Sequence, residues 1–233
     1  MKLALLGDIH ANDLALEAVL KAAAAYHVDA LLVTGDLVGY YFAPAAVLEM
    51  LSPWNKYVVR GNHEDMLRRA RSDPDSLADV RRRYGSGIEV ALVQLSPDQV
   101  EALCALPHPL ALELGGRKIL LCHGSPEDLD RYVYPDSDLG GMAGGALDAF
   151  DLVVSGHTHY PMERVLGDNT RLVNPGSVGQ PRNRQPGAHW ALYDTQSGSV
   201  SFRCESYDFS PIQVQARSLH PELPYLADVL ERR

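Results

Sequence analysis

Five apolar, strand-like runs of this chain each end at a glycine that stands beside a polar side chain able to bind metal. The five ends read Leu5-Leu6-Gly7-Asp8-Ile9-His10, Val33-Thr34-Gly35-Asp36, Val59-Arg60-Gly61-Asn62-His63-Glu64, Leu121-Cys122-His123-Gly124 and Ser155-Gly156-His157-Thr158-His159. Sites in open α/β sheets form at the carboxyl ends of the strands, so we expect these five ends to converge on one cleft. The glycines permit the tight turns and the close backbone approach that such a cleft requires.

Apolar strand-like runs alternate with helix-like stretches along the chain, which predicts an α/β architecture. Strands are predicted at 2–6, 30–33, 57–59, 110–114, 118–122, 152–154, 162–166, 171–173, 189–193 and 200–204. Helices are predicted at 12–26, 43–51, 64–83 with a break near 73, and 97–106 with Ser96 as its cap. With 233 residues, 46% of them hydrophobic, the chain can bury a sizeable core, and we predict one domain over 1–233.

Composition excludes several classes of function. No run of 18 apolar residues occurs, so no membrane span is expected. The first apolar run stops at Gly7, too early for a signal peptide, and we predict a cytoplasmic location. The net charge of −9 argues against long nucleic acid as a partner. Three widely spaced cysteines, Cys104, Cys122 and Cys204, predict free thiols rather than a disulfide framework.

The polar residues at the strand ends predict a metal centre. Carboxylate, amide oxygen and imidazole suit divalent ions such as Mn, Fe or Zn, and not a structural zinc held by thiolates. Seven candidate ligands exceed what one tetrahedral ion needs and suit two ions that share a bridging ligand: Asp8, His10, Asp36, Asn62, His123, His157 and His159. Two divalent ions and two carboxylates leave a charge of about +2, which favours an anionic substrate. Two such ions can hold a bridging hydroxide and clamp the oxygens of a phosphate.

The ordered motifs GDxH, GD, GNHE, HG and GHTH, between Gly7 and His159, resemble those of the calcineurin-like metallophosphoesterase superfamily. The later stretch 174–182 resembles its small prokaryotic branch of phosphodiesterases and diadenosine-tetraphosphatase-like proteins. The resemblance implies a four-layer α/β/β/α sandwich of two mixed β-sheets flanked by helices. It also implies a phosphoesterase that acts on a phosphodiester, a phosphomonoester or a nucleotide. The expected cofactors are two divalent metal ions, with Mn²⁺ as the first choice and Fe, Zn or Ni as alternatives.

The resemblance also implies a role for each matched residue. The first metal would be held by Asp8, His10 and His159, the second by Asn62, His123 and His157, and Asp36 would bridge them. His63 would bind no metal and would serve near the leaving-group oxygen as an acid or a charge stabiliser. The family usually has Asp after this histidine, to orient it, whereas this chain has Glu64, which is longer by one methylene.

Contacts to the substrate are less tightly specified by the motifs. Asn12 could approach a phosphate oxygen or cap a helix, and Arg182 and Arg184 could bind phosphate or lie in solvent. Tyr40 and Tyr41 could stack on a base or pack in the core.

The segment 125–145 could form a lid over the site or an inert excursion. Two alternative functions also remain: a phosphoprotein phosphatase, with a broad open groove, and a non-catalytic scaffold of the same fold. The expected partner is a small phosphorylated substrate.

Overall fold

The computed structural model describes residues 1–139, 147–167 and 169–233. Its strands are β1 (Lys2–Leu6), β2 (Ala30–Val33), β3 (Lys56–Val58), β4 (Leu110–Leu114), β5 (Arg117–Leu121), β6 (Leu152–Val154), β7 (Met162–Leu166), β8 (Thr170–Asn174), β9 (Ala188–Asp194) and β10 (Ser199–Glu205). Its helices are α1 (Asp13–Ala25), α2 (Pro44–Leu51), α3 (Asn62–Ala70), α4 (Pro74–Tyr84), α5 (Gly87–Gln94), α6 (Pro97–Cys104), α7 (Ser210–Leu219) and α8 (Tyr225–Asp228), with a 3-10 helix at Leu147–Ala149.

The strands form two mixed sheets of five strands each. The first has the order β10-β9-β1-β2-β3, in which β1, β2 and β3 run parallel and β9 pairs antiparallel with β1. The second has the order β4-β5-β6-β8-β7, in which β5, β6 and β8 run parallel. The parallel strands are short and apolar, as expected for strands that are buried on both faces.

The two sheets pack face to face over an apolar core. Leu5 and Leu32 of the first sheet meet Leu121 and Val154 of the second in this layer. Alternate residues of the same strands, such as Leu6, point the other way and pack against α1, α2 and α3. The period-two alternation of side chains therefore gives each central strand of the first sheet two buried faces.

The outer face of the second sheet is covered differently. Within the described residues, Val133 and Leu139 of the segment 125–139 and Leu147 of the 3-10 helix pack on Leu120 and its neighbours. The predicted α/β sandwich of two mixed sheets flanked by helices is confirmed, and a loop and a single 3-10 turn supply much of this outer cover. No helix among the described residues is long and apolar enough to cross a membrane.

Candidate metal centre

The seven predicted ligands lie together where strands of the two sheets end. Asp8 and His10 follow β1, Asp36 follows β2, and Asn62 begins α3 just after β3. His123 follows β5, and His157 and His159 follow β6. All seven side chains are buried. Parallel strands direct their carboxyl ends to one edge of a sheet, so the fold brings motifs that are far apart in sequence into a single cleft.

The first donor set contains His10, His159 and Asp8. The Nε2 atoms of His10 and His159 are 3.2 Å apart, and Asp8 Oδ1 lies 3.6 Å from His159 Nε2. The Nδ1 of His159 lies 2.6 Å from the Gln180 carbonyl, and that of His10 lies 3.3 Å from the Val38 carbonyl. A carbonyl only accepts, so each Nδ1 carries the proton and each neutral ring presents a lone pair at Nε2. Two lone pairs then face each other, an arrangement that a shared cation stabilises.

The second donor set repeats this pattern around His123. Its Nε2 lies 3.0 Å from Asn62 Oδ1 and 3.1 Å from His157 Nδ1, while its Nδ1 donates to the Thr34 carbonyl at 2.7 Å. The lone pair of His123 therefore points at an amide oxygen, and the Nε2 of His157 has no hydrogen-bond partner. A divalent cation between these atoms would satisfy them better than they satisfy one another.

Asp36 stands between the two sets. Its Oδ2 lies 3.7 Å from His10 Nε2 and 3.5 Å from His123 Nε2. Among the described residues, three groups of ligand atoms are close enough for one ion: Asp8, His10 and His159; Asp8, Asp36 and His123; and His10, Asp36 and His63. Asp36 is therefore placed where a bridging carboxylate would be needed.

Burial shapes the electrostatics of the cleft. It raises the pKa of Asp8 to about 7 and that of Asp36 well above its ordinary value. It lowers the pKa values of His10, His123 and His159 well below that of a free imidazole. The histidines are thus neutral, which is the form that binds metal, and Arg182 and the backbone N–H groups offset the burial of the two carboxylates only in part. Divalent cations would supply the remaining positive charge and hold both carboxylates ionised.

Backbone strain is concentrated at the same residues. Positive φ is unfavourable for residues other than glycine and costs on the order of 1–3 kcal/mol in such regions. Five of the seven candidates adopt it: Asp8 (φ 54°), His10 (51°), Asp36 (54°), His157 (70°) and His159 (63°). Strain retained at so many neighbouring positions is typical of a functional site rather than of a region built for stability alone.

Two glycines are required by the closeness of these loops. Gly35 has a φ of +95°, and a Cβ there would lie 2.5 Å from the Gly61 nitrogen. A Cβ on Gly61 would lie 2.2 Å from Asp36 Oδ1. Any side chain at either position would therefore push apart the loops that carry Asp36 and Asn62.

Residues of the 174–182 segment donate hydrogen bonds to the loops that carry the ligands. Asn174 Nδ2 donates to the Gly156 carbonyl at 2.8 Å and to Thr158 Oγ1 at 3.0 Å, which fixes the turn that carries His157 and His159. Ser177 Oγ donates to the Asp8 carbonyl at 2.7 Å. Through these buried hydrogen bonds the segment stabilises the loops formed by the ligand motifs.

Glu64 does not orient His63, contrary to the expectation from the motif. Its two carboxylate oxygens accept hydrogen bonds from the backbone nitrogens of Asp36 (2.9 Å), Leu37 (2.8 Å) and Gly61 (2.8 Å). It caps α3 from the third position and ties the Asp36 loop to that helix. Glu64 is therefore a positioning residue for Asp36 rather than a partner of His63.

His63 lies at the wall of the cleft. Its backbone N–H donates to Asp36 Oδ1 at 2.8 Å, and its ring contacts those of His10 and Tyr40 with centroid distances of 4.6 and 4.8 Å. Its Nδ1 is buried without a hydrogen-bond partner. Burial lowers the pKa of His63 to about 3, so the ring is neutral in the absence of a bound anion.

Of the predicted substrate contacts, Asn12 proves to be a helix cap. It is fully buried, its Oδ1 accepts from Ala15 N at 3.0 Å, and its Nδ2 donates to the Gly179 carbonyl at 2.8 Å and to Tyr207 Oη at 3.0 Å. These contacts occupy the whole amide, so Asn12 has no group free to meet a phosphate.

The two arginines differ. Arg182 is partly buried and lines the pocket above the metal ligands, where its Nη2 donates to Tyr40 Oη at 3.0 Å and to Gln180 Oε1 at 2.9 Å. Arg184 is exposed and does not line that pocket. The structure thus places one of the two where it can meet an anion and leaves the other in solvent.

The pocket is small, about 30 Å³, and its walls are aromatic. Tyr40 lines it, whereas Tyr41 packs in the core and donates to the Leu226 carbonyl at 3.1 Å. Tyr84 and Tyr132 also line it and were not identified from the sequence. The complete lining is Asp36, Tyr40, Asn62, His63, Tyr84, Tyr132, His157, His159 and Arg182.

A larger cavity, of about 690 Å³, lies elsewhere, between α1 and the segment 205–211. Its charged residues are Glu17, Lys21, Glu205 and Asp208, and none of them belongs to a group of potential metal ligands among the described residues. By volume alone this groove would be the candidate functional site, but the potential metal ligands lie at the smaller pocket.

Comparisons with known proteins agree with the fold. The family model described as the calcineurin-like phosphoesterase superfamily domain matches residues 1–198. An uncharacterized protein of Methanocaldococcus jannaschii is 26% identical over 223 residues, which cover 88% of each chain. A metallophosphoesterase from Sphaerobacter thermophilus superposes with a TM-score of 0.76 and 27% identity, covering 100% of this chain and 98% of that one. A hypothetical protein from Pyrococcus horikoshii shares the fold with a TM-score of 0.86, at 23% identity and with 99% and 98% covered.

Proposed function

We propose that this chain, which belongs to the calcineurin-like phosphoesterase superfamily, is a dinuclear metal-dependent enzyme that hydrolyses a small phosphorylated substrate. The observation that carries the proposal is the pair of donor sets in which lone pairs face each other across about 3 Å and share Asp36. Cations in those positions would satisfy several of these buried acceptors at once.

Charge and size favour a small anionic substrate. Two divalent ions and two carboxylates would leave about +2 at the centre. The guanidinium of Arg182 adds a further positive charge at the pocket wall and can pair with a phosphate oxygen. The pocket at the ligands is small, about 30 Å³, which supports a small ester over the broad groove expected for a phosphoprotein phosphatase.

The ions would polarise the phosphoryl oxygens and lower the pKa of a water molecule, and the donor set suits Mn²⁺ first, with Fe, Zn or Ni as alternatives. His10, His123 and His159 hold their lone pairs ready for this task through the backbone carbonyls at Nδ1.

In this proposal His63 assists the leaving group. Because nothing accepts a proton from its Nδ1, the neutral ring keeps its single proton most favourably at Nε2, where it can be donated in a hydrogen bond. The low pKa of about 3 belongs to the site without substrate. A phosphate dianion would favour the protonated ring and thereby raise the fraction of His63 that can donate a proton.

The test is hydrolysis of p-nitrophenyl phosphate and bis-p-nitrophenyl phosphate by metal-stripped protein that has been resupplied with Mn²⁺. We expect turnover that depends on the metal, and the ratio of the two rates assigns the enzyme as a monoesterase or a diesterase. Two bound metals per chain without turnover of either ester would favour the scaffold alternative.

A further inference from the structure

We propose that Tyr132 and Tyr134 form a stacking platform at the rim of the pocket for a planar aromatic group, such as a nucleobase, in the organic part of the substrate. The inference rests on the phosphoester hydrolysis proposed above and specifies the class of substrate. The pocket at the candidate metal ligands has a volume of about 30 Å³. Pockets that enclose a whole organic ligand measure about 300–1,000 Å³, so the organic part must extend past the rim.

Two tyrosines, Tyr132 and Tyr134, lie at the rim of the pocket. Tyr132 is 50% exposed and Tyr134 is 37% exposed, whereas most large apolar side chains of the described residues are covered. Their rings are nearly parallel, with an interplanar angle of 16° and a centroid distance of 5.9 Å. Tyr132 also lies against His157, with ring centroids 4.1 Å apart. An exposed aromatic surface therefore begins directly at a candidate metal ligand and runs outward from it.

The backbone holds this surface in place. Tyr132 and Tyr134 flank Val133, which is 2% exposed and packs on the second sheet, so the two rings project to the opposite side. The Tyr134 and Ser137 backbones are tied by a turn, in which Ser137 Oγ accepts from Tyr134 N at 2.8 Å. The carbonyls of 128–131 pack so closely on Gly124 that a Cβ there would lie 2.6 Å from the nearest one. The platform is thus anchored beside His123, and little ordering is needed when a ligand binds.

The chemistry of the two rings selects the ligand. Exposed tyrosine rings offer uncharged π-faces, and aromatic pairs stack with about 0.5–1.5 kcal/mol beyond the area that they bury, which favours a flat aromatic group. Stacking of a base on an aromatic side chain is tolerant of base identity, because every base has a π-face. Arg182 and the metals would hold the phosphoryl group at one end of the ligand, and Tyr132 would hold the base at the other.

The test compares adenosine 5′-monophosphate with ribose 5-phosphate, which release the same 5′-hydroxyl and differ only in the base. Both are used as monoesters and as methyl diesters, so that the comparison serves either kind of enzyme. In Tyr132→Ala we expect kcat/KM for the adenosine ester to fall about 5- to 100-fold, while that for the ribose ester changes less than about twofold. Tyr132→Phe keeps the ring and should keep the preference. Phe202→Ala removes an aromatic ring that is 40% exposed on the edge strand β10, and should change neither rate.

An equal loss with both esters would mean that Tyr132 only supports His157, and would overturn the inference. Unchanged rates in Tyr132→Ala would overturn it as well. If the wild-type enzyme hydrolyses neither ester, the proposed function is in question and binding tests the platform separately. In that case calorimetry with the Mn²⁺-loaded protein should show tighter binding of adenosine monophosphate than of ribose phosphate, and Tyr132→Ala should abolish the difference. Equal affinities in the wild type would overturn the platform.

Discussion

Replacement of Asp8 by Asn should stabilise the metal-free protein at neutral pH, although it removes a ligand of the proposed centre. Burial raises the pKa of Asp8 from an ordinary value of 3.8 to about 7. The folded-state pKa lies above the unfolded one, so the stability that Asp8 contributes is complete below about pH 4. It is lost as the pH rises towards 7, because the unfolded chain ionises first.

The size of the change in folding free energy follows from the same two pKa values of Asp8. One pKa unit corresponds to about 1.4 kcal/mol, so the ionised Asp8 costs about 4 kcal/mol of folding free energy at pH 8. At pH 5 the cost is already about 2 kcal/mol, so the stability of the variant relative to wild type should rise by roughly 2–3 kcal/mol between pH 5 and pH 8. An Asn oxygen can still accept from His157 N, which lies 3.1 Å from Asp8 Oδ1, so the part of the difference that does not depend on pH should be small.

Urea unfolding in the presence of a chelator, at pH 5, 6, 7 and 8, measures this difference. For a urea m-value of about 1–3 kcal/mol per M, the predicted gain corresponds to a midpoint shift of roughly 1–3 M. Asp98→Asn removes the same charge from an exposed helix terminus and serves as the control. Added Mn²⁺ should reverse the order, since only wild type keeps the complete ligand set and is stabilised by binding. A difference that is constant with pH, or a variant that loses stability in chelator at pH 8, would refute the reasoning.

Three further substitutions test the roles of neighbouring residues. His63→Ala should keep two metals per chain by elemental analysis while turnover falls about 10²- to 10⁴-fold, and loss of metal would show that His63 is a ligand. Asp36→Asn should lower the occupancy of both metals together, because Asp36 Oδ2 lies within 3.7 Å of a histidine of each set; two tightly bound metals would contradict a bridging role. Glu64→Gln keeps one acceptor oxygen and turns an N–H group towards a backbone donor, so the free energy of unfolding should fall by about 1–3 kcal/mol in urea titrations. Glu17→Gln, at an exposed position of α1, is its control, and an equal effect in both would refute the capping role.

The sheets were predictable because each strand carries an unambiguous signal. Short apolar runs that stop at Gly-Asp or Gly-His predicted β1, β2, β5 and β6 within about a residue. The helix α5 was not predicted, since its sequence Gly87-Ile-Glu-Val-Ala-Leu-Val-Gln begins with glycine and contains β-branched residues that favour strands. Its helical form depends on packing, as Ile88 and Ala91 are buried in the core beneath the first sheet. The helices α7 and α8 were not predicted either, and they lie beyond the family match, which ends at residue 198.

The role of Glu64 could have been obtained from helix geometry alone. Residues 63 and 64 are the second and third of α3, and neighbouring side chains on a helix do not face each other. A glutamate at the third helical position faces back to the residue before the helix, which here is Gly61, and so meets the loop of Asp36. The motif resemblance suggested a pairing with His63 because the two are adjacent in sequence, whereas the helix directs their side chains apart.

Tyr84 and Tyr132, which also line the pocket, could not be predicted from the sequence. The reason also bears on the function of the site. Each metal ligand follows a strand, so its position is fixed by the sheet and is visible in the sequence as a motif. Tyr84 ends a helix, and Tyr132 lies in a loop without periodic pattern, so neither position carries a local signal that points to the cleft. The two parts of the site therefore depend on different constraints: the sheet ends set the reaction, while helix ends and loops set the substrate. Substitutions in the loop around Tyr132 should consequently change which ester is hydrolysed, and substitutions at the strand ends should remove hydrolysis of all esters alike.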